Sequence, residues 1–185
     1  MDRQLVTRAQ TGDEEAFTGV VYACGERLRR VAFGILRDRQ LAEDAAQQAL
    51  LSIWQKLPLL RDPDRFDAWA YRILVRACYA ESGRTRAWMP GILEDPDRGP
   101  ATRDGTGTID DRDELERGFR RLSVDQRAVV VLHHLVGLPL DEVAAVLGIP
   151  AGTAHSRLDR AMSRLRIALA SDAPRPWPVP QGVAR

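Results

Sequence analysis

Three arginines set the first chemical expectation. Arg157, Arg160 and Arg164 fall at i, i+3 and i+7, which puts them on one face of a helix. A guanidinium is a planar fork that pairs with phosphate oxygens and with the edge of guanine. A helix lined with arginine therefore suits the major groove of duplex DNA. His155 and Ser156 share the exposed side, while Ala154, Leu158, Ala161, Met162, Leu165 and Leu169 form an apolar face behind them. The preceding segment supplies the turn such a helix needs. Val143, Ala144 and Leu147 make a short helix that opens at Pro139, Gly148 turns the chain, and Pro150-Ala151-Gly152-Thr153 begins the next helix. The Ala144–Gly148 spacing is that of a helix-turn-helix, where a small residue lets two helices cross closely and a glycine reverses the chain. A solvated helix face is the plain alternative for the arginines, and the Ala/Gly spacing weighs against it.

A second stretch, Phe66 to Arg76, is aromatic and basic together. Ala70, Ile73, Leu74 and Ala77 form a helical seam, so its rings and arginines cannot all face inward. Rings beside guanidinium groups are the means by which unstacked bases and their phosphates are held. Other chemistries lack their residues. His133-His134 and His155 have neither the spacing nor the companion ligands of a metal site. No nucleophile elbow, Walker-type loop or dinucleotide fingerprint occurs. The expectation is a chain with no catalytic residue, no metal and no cofactor, which is not an enzyme.

Helices must position all of this. Leu28, Val31, Ala32, Ile35 and Leu36 recur at spacings of three and four. Leu41, Ala45, Ala49, Ile53 and Leu57 recur every four, on a helix that Pro58 stops. Thr11-Gly12-Asp13-Glu14 and Ser123-Val124-Asp125-Gln126 read as capping boxes, with Thr11 and Ser123 as the capping residues. Val129-Val130-Val131 has strand propensity, but the preceding cap favours a helix running up to Gly137. Periodicity lapses from Met89 to Glu114, where prolines and glycines accumulate, so that stretch reads as a flexible linker. The expected fold class is all-α: two small helical domains, 1–88 and 115–170, joined by the linker 89–114, with the helix-turn-helix in the second and a disordered tail over 171–185.

Charge follows the same division. The 185 residues carry a net charge of +1, but 89–114 holds three basic against eight acidic residues. Two mildly basic blocks thus flank an acidic connector. Lys56 is the single lysine among 27 basic residues. No apolar run approaches the ~18 residues of a membrane span. The polar start, Met1 to Phe17, carries no secretory signal. Cys24 and Cys78 are too far apart in sequence for a CxxC site and too few for a disulfide framework. A reduced, cytoplasmic protein is expected.

These motifs together resemble a known family. Leu140-Asp141-Glu142-Val143-Ala144 and Leu147-Gly148-Ile149-Pro150 through Ala161, with the run GT-x-x-SRL-x-RA, are similar to the C-terminal DNA-binding region of bacterial sigma factors of the extracytoplasmic-function (ECF) group. Ala42-Glu43-Asp44-Ala45-Ala46-Gln47-Gln48-Ala49 resembles the family's polymerase-binding helix, and Phe66 through Ile73 its promoter-melting segment. The resemblance covers about four fifths of the chain. It implies a promoter-specificity subunit that binds core RNA polymerase and promoter DNA. Asp44, Gln47, Gln48, Leu51 and Trp54 would dock on the clamp helices of the largest subunit. Arg61, Arg65, Phe66, Trp69, Tyr71, Arg72, Arg76 and Tyr79 would meet the −10 element. Thr153, His155, Ser156, Arg157, Asp159, Arg160 and Arg164 would read the −35 element. The acidic linker would run through the polymerase's RNA exit channel, and an anti-sigma protein would restrain the factor. Arg76 stands where the family usually has asparagine, Ala80 where aspartate is common, and Asp159 where a neutral or aromatic residue is often found. A stand-alone helix-turn-helix regulator is the competing reading. It calls for a dimerisation stripe, which is not seen, and leaves the first block without a task.

Overall fold

A computed structural model describes residues 1–83 and 111–171, and every regular element among them is helical. The first block comprises α1 (Arg3–Gln10), α2 (Glu14–Leu36), α3 (Arg39–Lys56) and α4 (Phe66–Glu81). Two short 3-10 turns, Leu57–Leu59 and Pro63–Arg65, join α3 to α4. The second comprises α5 (Asp111–Arg120), α6 (Val124–Val130), a π-helical turn (Val131–Leu135), α7 (Leu140–Leu147) and α8 (Ala151–Ser171). The expected linker residues 89–110 and the tail residues 172–185 lie outside the described residues. Helix α5 opens at Asp111, four residues inside the stretch read as linker. Leu115 and Phe119 stand four residues apart on it, as one face of a helix requires.

Aspartates start the helices of the first block. The side chains of Asp2, Asp13 and Asp38 accept from the backbone N–H of Gln4, Ala16 and Leu41 at 2.8, 2.9 and 3.0 Å. The expectation for Thr11 is thereby corrected. It closes α1, its hydroxyl donating to Arg8 O at 2.8 Å, and Asp13 caps α2. With residues 3–10 already helical, Thr11 falls at a helix end, and Gly12 (φ 90°) separates the two helices. Ser123 does form its capping box: its hydroxyl accepts from Gln126 N, and Gln126 Oε1 accepts from Ser123 N at 3.1 Å.

Alanine governs the packing of the first block. Ala42, Ala45, Ala46 and Ala49 are buried on α3, which lets α2 and α4 approach it closely. Val20, Cys24, Leu28, Ile35, Ile53, Phe66 and Leu74 fill the space they leave. That core does not stop at the first block. Ala128, Val129, Val131, Leu132, Val143, Val146 and Leu147 belong to the same apolar cluster, so α6 and α7 pack against α2 and α4. A smaller cluster of Leu122, Val130, Ala161 and Leu165 holds α8 to α6. On α8 Ala168 is buried and Leu169 is 37% exposed, which removes Leu169 from the expected apolar face.

Side chains and backbone join the blocks at several points. Gly34 on α2 has Val131 where a side chain would stand: a Cβ there would lie 2.9 Å from Val131 Cγ2. Arg37, which ends α2 in the left-handed conformation (φ 57°), pairs with Glu116, its Nε 3.1 Å from Oε1. The Arg37 guanidinium lies 4.9 Å from the Phe33 ring centroid and 5.3 Å from that of Phe119. From the other side, Arg127 donates to Leu36 O at 3.3 Å, one of the carbonyls that the end of α2 leaves open. Burial, and then the Arg37 charge, push the Arg127 guanidinium down to about 10.

Candidate nucleic-acid interface

The helix-turn-helix forms from the expected residues. Gly148 adopts the left-handed conformation (φ 67°) that ends α7, with its N–H bonded to Ala144 O. Ile149 N bonds the same carbonyl at 3.0 Å. Pro150 O receives the N–H groups of Thr153 and Ala154, which starts α8. Ala144 and Ala154, both buried, stand where α7 and α8 pack together. The candidate reading residues then divide. His155, Asp159 and Arg160 are exposed. Thr153, Ser156 and Arg157 are half-buried, Ser156 Oγ donating to Thr153 O at 3.1 Å. Arg164 turns toward α6, where its Nη1 donates to Gln126 Oε1 at 3.1 Å. The outward face of α8 is thus centred on His155 and Arg160, in the amino-terminal half of the helix.

Helix α4 sorts its candidates in the same way. Arg61, Arg65, Arg72 and Arg76 are exposed, and Trp69 is half-buried with its ring centroid 6.0 Å from that of Phe66. Phe66, Tyr71 and Tyr79, also named as −10 candidates, are buried. Their rings hold α4 against the block and offer no face to a base. Phe66 lies one turn before Ala70 on the apolar seam, so its burial was legible; Tyr71 lies off that seam. Arg27 on α2 covers the Tyr71 ring at 5.5 Å and pairs with Asp67, whose other oxygen accepts from the Met1 ammonium at 2.8 Å. Burial opposes ionisation of Asp67, but the ammonium and Arg27 overcome it and hold the carboxyl below its ordinary value.

The polymerase-docking candidates occupy one side of α3. Gln47 and Gln48 are exposed, Asp44 is half-buried, and Leu51 and Trp54 retain 57% and 37% of their surface. Trp54 leans on Phe17 with ring centroids 4.5 Å apart. Sequence reasoning missed Tyr22, which is 84% exposed on α2, and Leu59 beyond α3. The signal for both was an apolar side chain off every stripe. His133 has a structural task, its Nδ1 2.8 Å from Leu138 O beyond the π turn. Among the described residues no group of three or more His, Cys, Asp or Glu side chains could hold a metal ion. Burial raises the Cys24 and Cys78 thiols to about 11 and about 12.

Comparison with known proteins decides what these surfaces belong to. Residues 21–87 match the sigma-70 region 2 family and residues 112–165 the sigma-70 region 4 family. The ECF RNA polymerase sigma factor SigM of Mycobacterium tuberculosis is 32% identical over 164 residues, which cover 89% of this chain and 82% of SigM. The chain belongs to the ECF sigma factor family. The RNA polymerase sigma-E factor of Streptomyces antibioticus is likewise 32% identical, over 84% of this chain and 85% of that protein. Among solved structures, CnrH in complex with the cytosolic domain of CnrY superposes with a TM-score of 0.68 at 28% identity, over 93% of this chain and 99% of that one. The sigma factor RpoE of Bartonella quintana, in complex with the anti-sigma factor NepR, gives 0.63 at 26% identity, over 84% and 98%. As an ECF sigma factor the protein is a transcription initiation factor of RNA polymerase. The stand-alone regulator is not favoured, because the block it leaves without a task is a sigma region 2. No described helix is long and apolar enough to cross a membrane.

Proposed function

We propose that this sigma factor divides promoter recognition between its two blocks. Residues 1–88 bind core polymerase and meet the −10 element, residues 115–170 read the −35 element, and the acidic stretch 89–114 connects them. On α3, Asp44, Gln47, Gln48, Leu51 and Trp54 dock on the clamp helices of the largest polymerase subunit. Arg61, Arg65, Arg72 and Arg76 hold the phosphates of the melted −10 strand, Trp69 supplies the ring, and the buried Phe66, Tyr71 and Tyr79 keep α4 rigid beneath them. His155, Arg157, Asp159 and Arg160 read −35 base edges, and Thr153 and Ser156 shape the start of the helix. Melting draws on binding free energy, since no nucleotide-hydrolysis motif is present and the factor is not itself an enzyme. It works in the cytoplasm, and an anti-sigma protein restrains it, as NepR binds the related RpoE. The observation that carries this reading is the outward placement of Arg61, Arg65, Arg72 and Arg76 on α4 and its preceding turns and of His155 and Arg160 on α8, in one chain with an exposed α3 face.

Run-off transcription with core polymerase on sheared genomic DNA, followed by sequencing of RNA 5′ ends, tests it. New start sites sharing two spaced upstream motifs are expected only when the protein is added. Absence of new starts together with absence of binding to core refutes the reading.

A further inference from the structure

The most outward line of α8 is not drawn by its arginines. Gly152, His155, Asp159, Ser163 and Arg166 are exposed and follow one another at steps of three and four. Arg160 stands beside this line, Arg157 is half-buried, and Arg164 is turned to Gln126 of α6. A carboxylate therefore occupies the middle of the line. Its neighbours three and four residues away on the helix are His155, Ser156, Met162 and Ser163, so no arginine of α8 stands over it. Among the described residues Asp159 forms no ion pair and no side-chain hydrogen bond.

One turn earlier, Nδ1 of His155 lies 3.0 Å from Ala151 O. A carbonyl oxygen only accepts, so Nδ1 carries the proton and the neutral ring keeps a lone pair on Nε2. His155 and Asp159 are thus two acceptors in a row. Helical rise sets them about 6 Å apart along the axis, against about 3.4 Å for one base step. They face base pairs no more than about two steps apart. Donors are scarce in the major groove. Phosphates, guanine O6 and N7, adenine N7 and thymine O4 all accept and repel a carboxylate; the exocyclic amines of cytosine and adenine donate. Adenine N6 has the N7 lone pair beside it, which suits a side chain that both donates and accepts. Cytosine N4 suits one that only accepts.

We propose that Asp159 fixes a cytosine in the −35 element: its carboxylate accepts from the N4 amine of that base, and His155 Nε2 accepts from an exocyclic amine within two base pairs of it. The inference deepens the assignment of α8 to the −35 element and rests on it. The arginines of the same helix are tolerant readers, since a guanidinium is satisfied by a phosphate or by guanine. A carboxylate in the groove is not. Over guanine or thymine it loses water and meets only acceptors. Asp159 thus selects by excluding the wrong base as much as by attracting the right one.

The test uses holoenzyme assembled from core polymerase and the full chain. It selects from duplex templates that carry one mapped start site and a randomised upstream −35 region, and the bound fraction is sequenced. The parent should enrich cytosine at one position by about five-fold or more over the other bases. Asp159→Ala should lose the preference at that position alone. Asp159→Asn, which can pair with adenine N6 and N7 together, should move it from cytosine to adenine. His155→Ala should relax a position within two base pairs. Both side chains are exposed, so the variants should keep the parental helix content by circular dichroism. A motif left unchanged by Asp159→Ala, a cytosine retained by Asp159→Asn, or no neighbouring position relaxed by His155→Ala overturns the proposal. Arg160→Ala serves as the reference. A motif that responds to Arg160→Ala but not to Asp159→Ala overturns the proposal alone. A motif indifferent to both removes α8 from the −35 element, and the proposal falls with that assignment.

Discussion

Leu51 offers the cleanest probe of the polymerase-facing surface. It lies on α3 with 57% of its surface exposed, and it is not part of the core cluster. Fully burying a leucine side chain stabilises by about 1.5–3 kcal/mol. Covering the exposed 57% would therefore contribute about 0.9–1.7 kcal/mol. Leu51→Ala removes most of that contribution, so the dissociation constant for core polymerase should rise about 5- to 18-fold. The folded chain should not notice, because the leucine side chain already faces water and alanine is a strong helix former. Trp54 would be a poorer choice, since its ring also packs on Phe17 and its removal would loosen α2–α3 packing as well as the interface. The assay is fluorescence anisotropy of labelled protein titrated with core, with thermal unfolding as the control. An unchanged Tm together with a dissociation constant within two-fold of the parent would show that Leu51 is not covered, and the docking surface would have to be sought elsewhere.

Other consequences follow from the same geometry. Arg160→Ala in the holoenzyme–promoter complex should lower the slope of log K against log salt by about 0.9 if Arg160 meets a phosphate, or cost about 1–3 kcal/mol at one −35 base pair if it meets a base edge; neither change would remove it from the reading face. Gly148→Ala forces a Cβ into a left-handed position (φ 67°) and should cost about 1–2 kcal/mol, lowering Tm by a few degrees in thermal circular dichroism. Cys24 and Cys78 keep their protons in the folded state above the pH at which unfolded thiols lose them. Stability should therefore fall as pH rises from about 9 toward 11–12, by about 1.4 kcal/mol per pH unit for each thiol. Urea unfolding at pH 8 and pH 10 measures this, and a Cys78→Ala variant that keeps the full slope would contradict the assignment.

The helices and the helix-turn-helix were legible in the sequence because their signals are local. Gly148, Pro150 and Ala144 stand where backbone conformation and close crossing require them, whatever the remainder of the chain does. The cap at Asp13 was misplaced by two residues because Thr11 offers the same chemistry, and only α1 decides between them. Burial of Tyr71 was hidden because its ring is covered by Arg27 of α2, 44 residues away in sequence, rather than by its own helix alone. The seam between the blocks escaped for the same reason. Gly34 inside an apolar stripe and an arginine at the end of α2 are ordinary in sequence, and they acquire meaning only when Val131 and Glu116 are brought to them.

The core shared between the blocks has a consequence for association. Residues such as Val131, Leu132, Val143, Val146 and Leu147 are buried against surfaces of the same chain. A surface that fits within one chain fits equally well between two. When the seam opens at high protein concentration, the second block of one molecule can close onto the first block of another, exchanging partners without altering a single native contact. Variants that loosen the seam should then accumulate as dimers with parental helix content. Those dimers should revert to monomers only slowly on dilution, because each must expose both apolar faces to water before either chain can fold back on itself.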